Sequence, residues 1–163
     1  VISPARIDGD LDYDFDSFAS ESARKMHNVF RRQTQNAVCV CIHRSVFHEI
    51  GYFRANPKLL GFEDTIFFHD LNKTQLLRAI TGNVWLHHFG SITQKDMKKK
   101  LGKSEKDDLM KVNDRYLLQQ GWLERKVTKW KTKRQAVAWR EEELVTKGMT
   151  LHGERVHHEL VWL

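Results

Sequence analysis

The sequence predicts an α/β fold in which strands and helices alternate and a helical extension follows, and three observations predict it. Ala37-Val38-Cys39-Val40-Cys41-Ile42 is a continuous apolar, β-branched run of strand length, the pattern of a strand covered on both faces in the middle of a sheet. Phe67, Phe68 and Leu71 are spaced as one buried helix stripe. Asn83-Val84-Trp85-Leu86 then returns as a strand, with His87 and His88 at its end.

The other elements follow in chain order. Residues 1–7 read as a short strand interrupted by Pro4, a poor candidate for a central position because proline cannot donate to a ladder. From Asp8 to Asp16 an acid recurs at every second position, which on an extended chain sets all five on one face. Such a face suits a divalent cation, although the glycine and glutamate of an EF-hand loop are not at their required positions. Residues 17–33, with Phe18, Met26, Val29 and Phe30 at helical spacing, predict a surface helix. Ser45 is placed to cap a short helix carrying Val46, Phe47 and Ile50, which Gly51 would close. Residues 52–60, with Pro57, predict a loop. From Ser104 the pattern is helical, with Ser104 and Asp107 spaced as a capping box and a stripe of Leu109, Val112, Tyr116 and Leu117 that Gly121 interrupts. A second, basic helix with Val127, Trp130 and Val137 follows, and residues 149–163 predict a closing hairpin or strand.

At 163 residues, 40% of them apolar, the chain matches one domain or half of a larger one and is rich enough in apolar residues to build a core. It contains no apolar run of the eighteen or so residues that span a membrane and no leader of basic then greasy residues, so a cytoplasmic protein is expected. The only cysteines, Cys39 and Cys41, suit a reducing compartment and read as two buried small apolar residues, since two thiols fall short of a metal site. The formal charge of +6 is uneven: residues 95–140 hold fifteen Lys/Arg against six Asp/Glu. A stretch of that kind serves nucleic acid, an anionic membrane surface or a phosphorylated substrate, or is simply a solvated helix face.

Gly61-Phe62-Glu63-Asp64-Thr65 sets two carboxylates where a loop gives way to a helix. Unpaired N–H groups and the positive end of the helix dipole hold a carboxylate ionised there, and an Asp so held can take a proton from a hydroxyl. The ordinary alternative is that Asp64 or Thr65 caps the helix.

Taken in order, residues 41–53 (Cys-Ile-His-Arg-Ser-Val-Phe-His-Glu-Ile-Gly-Tyr-Phe), residues 61–68 (Gly-Phe-Glu-Asp-Thr-Ile-Phe-Phe) and residues 88–93 (His-Phe-Gly-Ser-Ile-Thr) resemble the C-terminal half of family-2 glycosyltransferases of the GT-A fold. The resemblance covers roughly residues 36–94 and implies a partial GT-A-type, Rossmann-like sheet over residues 1–94, with residues 95–163 as a basic helical extension. It implies an enzyme that moves a sugar from a nucleotide-sugar donor to a glycan or other hydroxyl acceptor with inversion. Asp64 would be the general base, Glu63 and Phe62 would contact the acceptor, and His88, with His87 as its alternate, would ligate the Mn²⁺ or Mg²⁺ that meets the donor diphosphate. The family's nucleotide-binding half, with its Asp-x-Asp motif, is expected upstream of Val1. The isolated chain is therefore expected to transfer little sugar.

Two departures from the family pattern concern charge. After Phe53 the family commonly has Asp-Glu, and this chain has Arg54; after the acidic pair the family commonly has an arginine, and this chain has Asp70. Two readings from other classes stand beside the enzyme. One is a nucleic-acid-binding module using residues 95–140, with Trp122, Trp130 and Trp139 to stack bases, although no recognised nucleic-acid-binding signature accompanies them. The other is a catalytically silent interaction domain.

Overall fold

The computed structural model describes residues 1–54, 63–90, 92–102 and 121–163. The chain divides into two compact units, one built from Val1–Ile42, Leu77–Gly90 and Thr132–Leu163, the other from His43–Leu76 and Ser91–Lys131. The first is mixed α/β. Its strands are β1 (Ile2–Gly9), β2 (Phe30–Arg32), β3 (Ala79–His88), β4 (His152–Val156) and β5 (Glu159–Trp162), hydrogen-bonded in the order β2-β3-β1-β4-β5. β1 is parallel to both β3 and β4, while β2 and β5 run antiparallel at the two edges.

β1, not residues 37–42, is the central strand, which corrects the sequence reading at both places. Ser3, Ala5 and Ile7 alternate along it, each fully buried, so its pattern has the period of two that a strand requires. Pro4 is tolerated because the β3 ladder shifts register between Pro4 and Ala5 and the β4 ladder begins only at Arg6. Residues 37–40 are irregular, and Cys41 makes a single isolated bridge to Ile2. Asn36 draws this segment onto β1 with its side chain: Nδ2 donates to Pro4 O at 2.9 Å and the backbone N–H donates to Ser3 Oγ at 3.2 Å. Val38 is left 38% exposed, and Cys39 and Cys41 are exposed free thiols, not buried apolar residues.

One face of the sheet carries the core. Ala5, Ile7, Met26, Trp85, Met149 and Leu151 form a buried cluster, with Phe15, Phe18, Ala19 and Ala23 of α1 (Phe15–Lys25) packed against it. Fully burying a side chain such as Ile7 or Leu151 contributes about 1.5–3 kcal/mol. The helix starts at Asp14, whose carboxylate accepts from Ser17 N at 3.1 Å and Ser17 Oγ at 2.6 Å. It stops well before residue 33, another correction. Asn28 has φ 61°, a left-handed conformation that asparagine adopts more readily than most residues, and its N–H donates to Asn83 Oδ1 at 2.7 Å. The chain reverses there, and Val29 and Phe30, apolar at helical spacing, enter the core and β2 instead.

Residues 149–163 form the hairpin that was one of the two expected outcomes. Its two-residue turn, His157-His158, has φ of 50° and 69°, the geometry of a type I′ turn whose twist matches the flanking strands. Histidines are uncommon there, and the loop after β1 supports them: Asp10 Oδ2 accepts from His157 N at 3.3 Å, while Asp12 pairs with both His158 and Arg155. The alternating acids thus do not share one extended face. Asp8 ends β1, Asp10 and Asp12 hold the hairpin, and Asp14 caps a helix.

The second unit holds α2 (Arg44–Ile50), α3 (Glu63–Asn72), α4 (Ile92–Lys100) and the first turns of α5 (Trp122–Lys147), whose C-terminal half lies in the first unit. α2 is capped by His43, not Ser45: the imidazole Nδ1 accepts from Ser45 N at 3.4 Å and meets Ser45 Oγ at 2.8 Å. Gly51 closes it at φ 81°, with its N–H on Phe47 O at 3.0 Å. The α3 stripe of Phe67, Phe68 and Leu71 is buried as expected. Phe47 stacks on Tyr52 at 5.0 Å and Phe53 on Phe67 at 4.2 Å, ring to ring, which locks α2 and the turn after it onto α3. The helix expected from Ser104 lies outside the described residues up to 120, and α5 runs from Trp122 as a single basic helix.

Candidate functional site

Glu63 and Asp64 occupy the first turn of α3, where backbone N–H groups are unpaired and the helix dipole favours negative charge. Glu63 is exposed and Asp64 half-buried. Asp64 Oδ1 accepts from Thr65 N at 2.7 Å and from Thr65 Oγ1 at 3.3 Å. The carboxylate is thus oriented through Oδ1, and among the described residues Oδ2 accepts no hydrogen bond. Phe62, expected beside them, lies outside the described residues. Arg54 and Asp70 form an ion pair with each other, and Lys73 Nζ stands 3.5 Å from the same Asp70.

His88 belongs to the other unit, at the C-terminal end of β3. Because side chains alternate along a strand, His87 and His88 face opposite sides of the sheet. His87 turns into the aromatic side, among Tyr13, Phe15 and Phe89. Its Nε2 donates to the Gly9 carbonyl at 3.1 Å, so its Nδ1 accepts from the Tyr13 hydroxyl at 3.1 Å. Both ring nitrogens are occupied, which excludes His87 as the alternate ligand in this structure.

His88 sits beside Asp8, its register partner on β1. Its Nδ1 is 2.9 Å from Asp8 Oδ1. On the other side of the same carboxylate, His152 Nε2 is 2.7 Å from Asp8 Oδ2, and Arg6 Nη2 is 3.2 Å from that oxygen. A carboxylate only accepts, so each imidazole directs an N–H at Asp8. Among the described residues His88 Nε2 has no hydrogen-bond partner, on a side chain one-third exposed. Burial pushes the Asp8 carboxyl up, yet the hydrogen bonds from His152 and His88 and the Arg6 charge outweigh it and hold Asp8 below the ordinary range. Burial pushes His152 down, more than its bond to Asp8 raises it, so it is neutral at neutral pH.

No protein-family model, curated protein or solved structure matches this chain.

Of the residues expected from the sequence, the structure brings Glu63 and Asp64 together on one helix turn and sets His88 at a strand end in the other unit. It adds Asp8, Arg6 and His152. Asp8 carried a faint signal as the first of the alternating acids. His152 carried none, since its partner is 144 residues away. In metal-free buffer this cluster should make stability fall on acidification. The unfolded state takes up a proton at His152 near its ordinary value of 6.5 while the folded state resists it, and Asp8, whose pKa is depressed, loses its contribution only below its ordinary 3.8. Replacing His152 by Gln, which retains a donor for Asp8, should flatten the denaturation midpoint between about pH 5 and 7. An unchanged slope in that window would assign the pH dependence to other groups.

Proposed function

We propose that this chain is the acceptor-side half of an inverting glycosyltransferase of GT-A type, transferring a sugar from a nucleotide-sugar to a glycan or other hydroxyl acceptor. The observation that carries the reading is Asp64: it follows Gly61-Phe62-Glu63 in a family-like motif and stands on the first turn of α3, with one oxygen held by Thr65 and the other without a partner among the described residues. A sugar hydroxyl is a poor nucleophile, and a carboxylate at hydrogen-bond distance removes its proton as the bond to the anomeric carbon forms. Glu63, exposed on the same turn, orients the acceptor, and Phe62 beside it in sequence is a further acceptor contact.

His88 fits a metal role of limited kind. Its Nδ1–H is anchored on Asp8, the arrangement that fixes the tautomer and raises the basicity of a ligating imidazole, and Nε2 remains for a cation. Among the described residues no three His, Cys, Asp or Glu side chains are placed to hold an ion, so His88 is offered as one ligand, with the donor diphosphate and a nucleotide-binding half as sources of the others. A bound Mn²⁺ or Mg²⁺ would supply charge stabilisation for the departing diphosphate. No described helix is long and apolar enough to cross a membrane, and the exposed free thiols Cys39 and Cys41 suit the reducing cytoplasm.

The test joins the chain to a nucleotide-binding half and measures donor turnover at saturating acceptor. Asp64→Asn is isosteric and should lower kcat by about 10²–10⁴-fold. Equal turnover by both forms would remove Asp64 as the base.

A further inference from the structure

One arc of α5 is apolar and basic at once. Trp122, Leu123, Val127, Trp130 and Val137 are 54%, 68%, 49%, 56% and 47% exposed. At 3.6 residues per turn these five fall within about 140° of the helix circumference. Lys126, Lys133 and Arg134 interleave with them on the same arc. The buried Glu143 and half-buried Trp139 lie outside it. From Trp122 to Arg140 the helix has seven Lys/Arg against one acid, Glu124.

Apolar side chains gathered on one arc and rimmed by charge mark a binding surface, and the chemistry of the arc selects its occupant. A basic helix face attracts an anionic partner. A nucleic acid would satisfy the lysines and could stack on Trp122 and Trp130, but Leu123, Val127 and Val137 offer a base or phosphate nothing. Trp139, the third tryptophan expected to stack, is turned away. A bilayer interface takes every component: aliphatic side chains enter the acyl boundary, indoles sit at headgroup depth, and lysines reach back to lipid phosphates. Lys126 Nζ, 4.0 Å from the centre of the Trp122 ring, already pairs cation with indole in that manner.

We propose that α5 is a monotopic docking helix, lying along the surface of an anionic bilayer through its Trp122–Val137 arc. The proposal is independent of the catalytic reading.

The test is vesicle co-sedimentation of the whole chain with phosphatidylcholine alone and with phosphatidylcholine mixed with phosphatidylserine, followed in parallel by tryptophan emission. Binding should require phosphatidylserine, weaken with added salt, and shift emission to the blue. Lys126→Gln, Lys129→Gln and Lys133→Gln together should weaken binding on the order of a hundredfold, each basic residue near an anionic surface contributing about 1 kcal/mol. Leu123→Ser, Val127→Ser and Val137→Ser together should weaken it at least about tenfold, with the circular-dichroism helix signal retained as the control for folding. Absence of binding to phosphatidylserine vesicles would overturn the proposal. So would binding that survives the serine substitutions, or a single-stranded oligonucleotide that displaces vesicles and binds the serine variant undiminished, because either outcome makes the arc a site for polyanions.

Discussion

Glu143→Ala is expected to lower the unfolding free energy by about 3–5 kcal/mol, read as a lower denaturant midpoint. Glu143 and Arg31 form a two-pronged ion pair, Nε to Oε1 at 2.7 Å and Nη2 to Oε2 at 2.8 Å, with both side chains under 10% exposed. Glu143 Oε2 also accepts from Leu151 N at 2.9 Å, so one carboxylate ties β2, α5 and the approach to β4 together. Truncating it strands a buried guanidinium and a buried backbone N–H, each costly without a partner. The pair itself is not the source of the net stabilisation. Replacing both residues by apolar ones of similar volume, Arg31→Met with Glu143→Leu, should recover much of the loss. A single substitution costing under about 1 kcal/mol would show the site to be wet or readily relaxed.

Gly9→Ala should cost roughly 2–5 kcal/mol, from backbone strain plus overpacking. Gly9 has φ 101°, and a Cβ there would lie 2.1 Å from the Arg155 carbonyl oxygen, which accepts the N–H of Asp10 at 3.0 Å. Neither backbone can move without unzipping the β1–β4 ladder or releasing the Gly9 carbonyl that receives His87. Gly51 is the natural comparison. Its φ is also positive, at 81°, but among the described residues beyond its chain neighbours no atom lies within 4 Å of an added Cβ, so Gly51→Ala should cost only about 1–2 kcal/mol. Equal losses at the two positions would mean that crowding at Gly9 is relieved elsewhere.

What the sequence made legible was local. The α3 stripe, the short helix ended by Gly51, the strand bearing Trp85 and the closing hairpin all depend on contacts within a few residues, and periodicity reports those directly. The paired histidines could be assigned to opposite faces because strand alternation needs no tertiary knowledge. The central strand was not legible. Residues 37–42 have the more strand-like composition, but Asn36 spends their pairing capacity on a side-chain tether, and β1 takes the middle of the sheet despite Pro4 because a register shift absorbs the missing donor. The helix over residues 17–33 was overextended because Val29 and Phe30 keep helical spacing past a left-handed asparagine that no periodicity reveals. At the candidate site, Asp64 and His88 were visible from motif order, while the Asp8–His152 support was not, since it exists only once residues from the two ends of the chain are side by side.

That last pairing also bears on how the protein is made. β1 is synthesised well before β4, Asp8 preceding His152 by 144 residues, and the two lie in one parallel ladder with Arg6 against His152 and Gly9 against Arg155. Until β4 emerges, one edge of β1 has unpaired amides and carbonyls, a template for any extended chain nearby. Closing so long a loop favours slow, late completion of the sheet. A nascent chain therefore cannot finish this unit before residues 152–162 have left the ribosomal tunnel, and it must be protected from strand-swapped association in the interval.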